Sequence, residues 1–137
     1  YIMEGRDMDI TKRENFNAWL KWLRDNPERQ SDKQLKTPQE DGTDKFCCLG
    51  VACQISGLGG WDKLHYFIPG GERQQYFMPN EVAYWLGFDK YNNDPDFSYG
   101  DDTDDYKSLS SRNDDGDSFE VIADALEAEY GGDEHWT

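Results

Sequence analysis

Phe46-Cys47-Cys48-Leu49-Gly50-Val51-Ala52-Cys53-Gln54-Ile55 is the stretch on which the fold turns. Gln54 is its only polar side chain. A helix that is apolar almost all round has no face to offer water, so it belongs in the middle of a domain. Asp44 stands just ahead and can cap its first turn. Gly57 follows as a C-terminal glycine. Gly50 predicts close packing of this helix against a neighbour. The rest of the chain must then supply the layers that cover it.

Upstream, Phe16, Trp19, Leu20 and Leu23 fall at i, i+3, i+4 and i+7, the pattern of an amphipathic helix over residues 12–24. Trp22 widens the stripe. Thr11 and Glu14 form a T-x-x-E capping box, and Asn26-Pro27 ends the helix. Residues 1–7 lack periodicity and read as a disordered or expression-derived leader, with Met8 as the natural start. Residues 28–43 are polar, contain Pro38 and Asp41-Gly42, and read as a loop.

Downstream, Leu58-Gly59-Gly60-Trp61 reads as a turn. The aromatic runs 64–68 and 75–78, joined through Pro69-Gly70-Gly71-Glu72, predict a β-hairpin. Pro79 suits the first turn of a short helix over 80–86, stopped by Gly87. Residues 89–112 form an acidic loop. Ser118 caps a last helix over 119–130, with Ala125, Leu126 and Tyr130 on its apolar face, and Gly131-Gly132 ends it. The fold class is α+β and mostly α: about four helices, a central buried cysteine helix and one small hairpin, in a single domain over 8–137.

The chain has 137 residues and a net charge of -15, and aromatics make up 15% of it. Disordered chains are poor in aromatics, so global disorder is excluded. No apolar run approaches the ~20 residues of a membrane span, and no membrane association is expected. A pI near 4.3 repels phosphates, so direct nucleic-acid binding is not expected either. A partner protein with a basic surface fits this charge. Ten Asp against three basic residues lie between Asp89 and Asp117. This run is a solvated acidic loop, or a contact surface in which Asp101, Asp102, Asp104 and Asp105 meet the partner.

Cys47, Cys48 and Cys53 cannot close a disulfide framework, and three free thiols point to the cytoplasm. No two of them stand at i, i+3 or i+4, the spacings that bring ligands together on a helix. They read as small buried hydrophobes. Asn113-Asp114-Asp115-Gly116-Asp117 lacks the first carboxylate and the final glutamate of an EF-hand. Its expected role is structural: Asn113 and Asp114 make a side-chain-bonded turn, Gly116 takes positive φ, Ser118 caps the next helix and Phe119 packs inside it. No P-loop, G-x-S-x-G or H-E-x-x-H is present, so no cofactor is assigned.

Aromatics crowd residues 61–85. Most belong to a core, but Tyr66, Tyr76 and Trp85, with Arg73, are candidates for contact with a ligand or partner.

Two segments carry a resemblance. Residues 46–53 resemble an F-C-C-L-G-V-x-C signature. Residues 109–127, with Asn113-Asp114-x-Gly116-x-Ser118-Phe119-x-x-Ile122-Ala123-Asp124, resemble an L-x-x-x-N-D-x-G-x-S-F-x-x-I-A-D signature. Pro79-x-x-Val82-x-x-Trp85-Leu86-Gly87 links them. Together, in this order, they are similar to a family of small uncharacterised bacteriophage and prophage proteins. The resemblance covers residues 16–127, and residues 88–107 are longer and more acidic than the family pattern. It implies a phage accessory protein in the cytoplasm of an infected host. The resulting expectation is a non-enzymatic protein that binds and modulates a host factor. A nucleotide-like ligand binder and a metal-dependent enzyme are the alternatives.

Overall fold

In the computed structural model, residues 5–89, 92–98 and 106–132 are described. Among these described residues, five helices and six short strands follow one another. Helix α1 spans Gly5–Asp25 and leads through a 3-10 turn at Pro27–Arg29 into strands β1 (Lys36–Pro38) and β2 (Asp44–Phe46). Helix α2 is Cys48–Ser56. Strands β3 (Gly60–Asp62) and β4 (His65–Phe67) precede α3 (Asn80–Trp85). Strands β5 (Asp96–Ser98) and β6 (Tyr106–Ser108) precede α4 (Leu109–Asp114) and α5 (Phe119–Tyr130). The strands form three separate two-stranded antiparallel ladders, β1-β2, β3-β4 and β5-β6. The chain is α+β and mostly helical.

The cysteine helix is central. Residues 48–53 are all buried, and α2 packs against α1, α3 and α4. Its cover comes chiefly from α1, whose Phe16, Trp19, Leu20 and Leu23 are buried as the spacing predicts. Trp19 donates its indole N–H to the Cys48 carbonyl at 2.9 Å, which removes the cost of burying that polar handle. Helix α5 lies against α1 and contributes Phe119, Ile122, Ala123 and Leu126. Arg24 ties the two together through Asp124 at 2.9 Å and Glu127 at 2.8 Å. These carboxylates raise the Arg24 pKa, first through the hydrogen bond to Asp124.

Helix boundaries differ from the sequence reading in informative ways. Helix α1 already runs at Gly5, so Thr11 and Glu14 stand inside it and do not mark its N-terminus. Residues 1–4 lie outside the described residues. Phe46 belongs to β2, and Cys47, in place of Asp44, is the N-cap of α2. Asp44 instead pairs across the first ladder with Pro38. The segment read as a loop is therefore a hairpin, closed by Asp41, whose carboxylate accepts from the Thr43 N–H at 3.0 Å and hydroxyl at 2.5 Å. These bonds, the hydroxyl first, lower the Asp41 pKa.

Gly50 is the point of closest approach. A Cβ there would sit 1.8 Å from the Leu35 carbonyl oxygen. The neighbour is the backbone leading into β1, whose Leu35 side chain is fully buried. Gly57 ends α2 in the left-handed region at φ 67°, as a C-terminal glycine should.

The second hairpin keeps one expected strand, inside the run 64–68, but gives it another partner. His65–Phe67 pairs with Gly60–Asp62, the segment read as a turn. Trp61 faces Tyr66 in register, with ring centroids 4.9 Å apart. Residues 75–78 form no strand; only Gln74 bridges back to Tyr66. The reason is a competing partner: the Gln75 carbonyl accepts from the Leu35 N–H at 2.8 Å, which draws the chain away from β4.

Candidate functional site

The signature around residues 113–119 builds a structural junction. Ser108 caps α4, and this places Asn113 and Asp114 in its last turn. The turn predicted at Asn113-Asp114 therefore lies two residues later, at Asp115-Gly116, with Gly116 at φ 104°. Asn113 is buried and makes three side-chain hydrogen bonds. Its Oδ1 accepts from the Cys48 N–H at 3.2 Å and from Gln30 Nε2 at 3.0 Å, and its Nδ2 donates to the Ser31 carbonyl at 2.7 Å. Gln30 continues the network, accepting from the Phe119 N–H at 3.0 Å and donating to the Asp117 carbonyl at 2.8 Å. Asp114 accepts from the Lys33 N–H at 2.7 Å. Ser118 accepts from the Val121 N–H at 3.2 Å and Phe119 is fully buried, as expected. The N-termini of α2 and α5 are thus locked to residues 30–33. Gln30 gave no sequence signal, because it sits in a stretch that reads as loop.

Cys47, Cys48 and Cys53 are free and buried. Burial pushes the Cys47 thiol up to about 12 and the other two well above their ordinary value. A buried protonated thiol is neither nucleophile nor ready metal ligand. Among the described residues, no three His, Cys, Asp or Glu side chains gather in a metal-binding arrangement.

Asp101, Asp102, Asp104 and Asp105 lie outside the described residues. At the start of the acidic segment, Asp94 accepts from the Ser110 N–H at 2.9 Å and from the Ser110 hydroxyl. That carboxylate fastens the first turn of α4. The loop expected over 89–112 also includes the β5-β6 ladder and most of α4.

The four aromatic-region candidates separate. Tyr66 is 1% exposed and belongs to the core. Its hydroxyl accepts from the Gly59 N–H at 2.7 Å and meets Ser56 Oγ at 3.2 Å. Burial raises its pKa. Strand alternation explains the misreading: in β4 the central residue turns inward, and a three-residue strand is too short to show this in sequence. Trp85 is half-buried, packed against the core at the end of α3. Arg73 is exposed, but its Nε pairs with Asp62 at 2.8 Å and its guanidinium lies 5.3 Å from the Phe67 ring centre. Tyr76 is 54% exposed, and its neighbour Phe77 is 44% exposed.

Tyr76 and Phe77 ride on a strap whose backbone is held on both sides. Gln74 exchanges two backbone bonds of 2.8 Å with Tyr66, and the Gln75 carbonyl holds the Leu35 N–H. On the far side Met78 is fully buried, and its carbonyl accepts from Asn93 Nδ2 at 2.7 Å. Two aromatic side chains are thus presented to solvent on fixed backbone. Beside the strap is a cleft of about 200 Å³ lined by Ile68, Glu72, Gln74, Asn80, Glu81 and Asn93, among others. Its formal charges are both negative. Glu72 and Glu81 could not be singled out in a sequence with 29 carboxylates.

No described helix is long and apolar enough to cross a membrane. Residues 11–130 match a protein family described as a domain of unknown function (DUF8296). No curated protein matches the chain, and no solved structure does.

Proposed function

The chain belongs to the DUF8296 family, and we propose that it is a non-enzymatic accessory protein of bacteriophage type that binds a host protein through a basic surface on that protein. The observation that carries this reading is the strap: Tyr76 and Phe77 exposed side by side on pinned backbone. Large aromatics on a preorganised backbone lose little freedom on binding and serve as anchors. The net charge of -15 selects the partner. A strongly negative domain steers basic surfaces toward itself and repels acidic ones. Asp101, Asp102, Asp104 and Asp105 add to that field, and three reduced thiols suit the cytoplasm of an infected cell.

The nucleotide-like ligand reading calls for a concave aromatic pocket with Arg73 or another cation facing inward. Tyr66 is buried and Arg73 is paired with Asp62, and this favours the partner reading. The test of the partner reading is affinity capture from bacterial host lysate. The parent is compared with a Tyr76→Ser/Phe77→Ser variant and with a variant carrying Asn or Ser at the four aspartates. Capture of one protein by the parent, at least tenfold reduced by the aromatic change and weakened by salt, supports the reading. Equal capture by parent and aromatic variant removes it.

A further inference from the structure

We infer that Asp41-Gly42, at the tip of the β1-β2 hairpin, is a covalent modification site: it converts slowly to isoaspartate, and Thr43 sets how slowly. The inference does not depend on the partner-docking reading above. In this conversion the Gly42 amide nitrogen attacks the carboxyl carbon of Asp41. A C–N bond forms, one carboxyl oxygen leaves as water with the carboxyl and amide protons, and a cyclic imide results. Water then opens the ring. Opening at the former main-chain carbonyl leaves the chain running through the side-chain carbon, one methylene longer and of unchanged mass. No oxidant is needed, and water is the only co-reactant.

Three observations favour the reaction at this place. Asp41, Gly42 and Thr43 are all exposed, so water reaches the bond. Gly42 has no Cβ, and one built there would meet nothing within 4 Å, so its surroundings leave room for the imide. The Asp41 carboxylate already reaches across Gly42 to the Thr43 N–H at 3.0 Å, a side-chain-bonded turn. The ring closed by that bond contains both reacting atoms.

The same turn restrains the step. A carboxylate carbon is a poor electrophile, and the reaction draws on the neutral carboxyl. The Thr43 hydroxyl adds a second donor to the same oxygen at 2.5 Å, which holds the charged form. The attacking nitrogen is engaged as well: the Gly42 N–H donates to the Gln39 carbonyl at 3.1 Å, and the Gln39 N–H donates to the Thr43 carbonyl at 2.9 Å. The product also places an extra main-chain atom between Pro38 and Asp44, which face each other in register. Of these restraints, the Thr43 hydroxyl is the one that a substitution removes without touching the backbone.

The experiment incubates the full chain at neutral pH and maps isoaspartate by digestion and electron-transfer fragmentation, which distinguishes the two isomers. Parent, Thr43→Val and Thr37→Val are followed folded, and the parent also in urea. Isoaspartate at Asp41 should accumulate in the folded parent at least tenfold more slowly than in urea. Thr43→Val keeps the backbone donor and should speed it at least threefold. Thr37→Val, on the same hairpin, should change it less than twofold. The second Asp-Gly bond, Asp115-Gly116, is the internal reference. No isoaspartate at Asp41 in any folded sample, a folded rate equal to that in urea, or no response to Thr43→Val would overturn the inference. Equal acceleration at Asp115-Gly116 in the Thr43 variant would show a general loosening of the fold and overturn it too.

Discussion

At the junction of α2, α4 and α5, the Asn113 amide is consumed inside the protein, holding Cys48, Gln30 and Ser31. On the strap between Gln74 and Met78 the backbone is held just as firmly, but two aromatic side chains are left outside. The two regions use similar hydrogen bonding for opposite ends. In the first, the bonds align helix termini and seal a core. In the second, they fix a platform and leave its side chains unspent. The more recognisable sequence motif marks the first region, so the signature residues encode architecture. The proposed contact surface lies in a less distinctive stretch.

This contrast can be broken in several ways, beginning with the core. Gly50→Ala should be the most damaging change, because the new methyl would meet the Leu35 carbonyl at 1.8 Å. Overpacking of this kind costs about 3 kcal/mol or more where backbone must move. Urea unfolding would show a collapsed midpoint or no folded protein. Asn113→Ala comes next. It strands the Cys48 N–H and the Ser31 carbonyl, and a loss of about 2–3 kcal/mol is expected in the same assay.

The buried thiols give a pH signature. The Cys47 pKa is raised from 9.0 to about 12 by burial. Below about pH 9 the thiol is protonated in both states and its stabilising contribution is fully present. Above that, the unfolded chain releases a proton that the folded one keeps, so stability falls as pH rises toward 12. Each such thiol contributes a slope of about 1.4 kcal/mol per pH unit in that window. Urea midpoints at pH 8, 9 and 10 under reducing conditions should decline, and Cys47→Ala should make the decline shallower. An unchanged slope would show that this thiol is not protected.

Ser118→Ala removes the cap of α5 and should cost about 1 kcal/mol. The smallest effect on stability belongs to the strap. Tyr76→Ala/Phe77→Ala should shift unfolding by no more than about 0.5 kcal/mol, while abolishing partner capture. A large loss of stability there would instead make these rings part of the core and dissolve the contrast.

Long elements with a strong pattern were legible. The stripe at Phe16, Trp19, Leu20 and Leu23 located α1, the unbroken apolar run located α2, and Ser118-Phe119 located the start of α5. The strand pairings were not legible for a physical reason. Strands of three residues carry too little alternation to reveal a face, and their pairing is decided by distant groups. Leu35 claims the Gln75 carbonyl, so residues 75–78 leave the sheet. Tyr66 and Tyr76 look alike in sequence, yet one is sealed beneath Trp61 and the other stands in water. At the cleft beside the strap, Asn93 and Glu81 are brought together only by the fold.

The packing of α1 on α5 also sets a timetable. Arg24 and Asp124 are separated by 100 residues, so the apolar stripe of the first helix, met early by α2, is not fully covered until the last helix has been made. At about 5–20 residues per second, translation leaves that stripe waiting roughly 5–20 s. Contacts of such sequence separation also slow the search once the chain is complete. The nascent protein is therefore at its most adhesive while it is still being synthesised, and chaperones that bind emerging apolar segments have their opening on α1 during that interval.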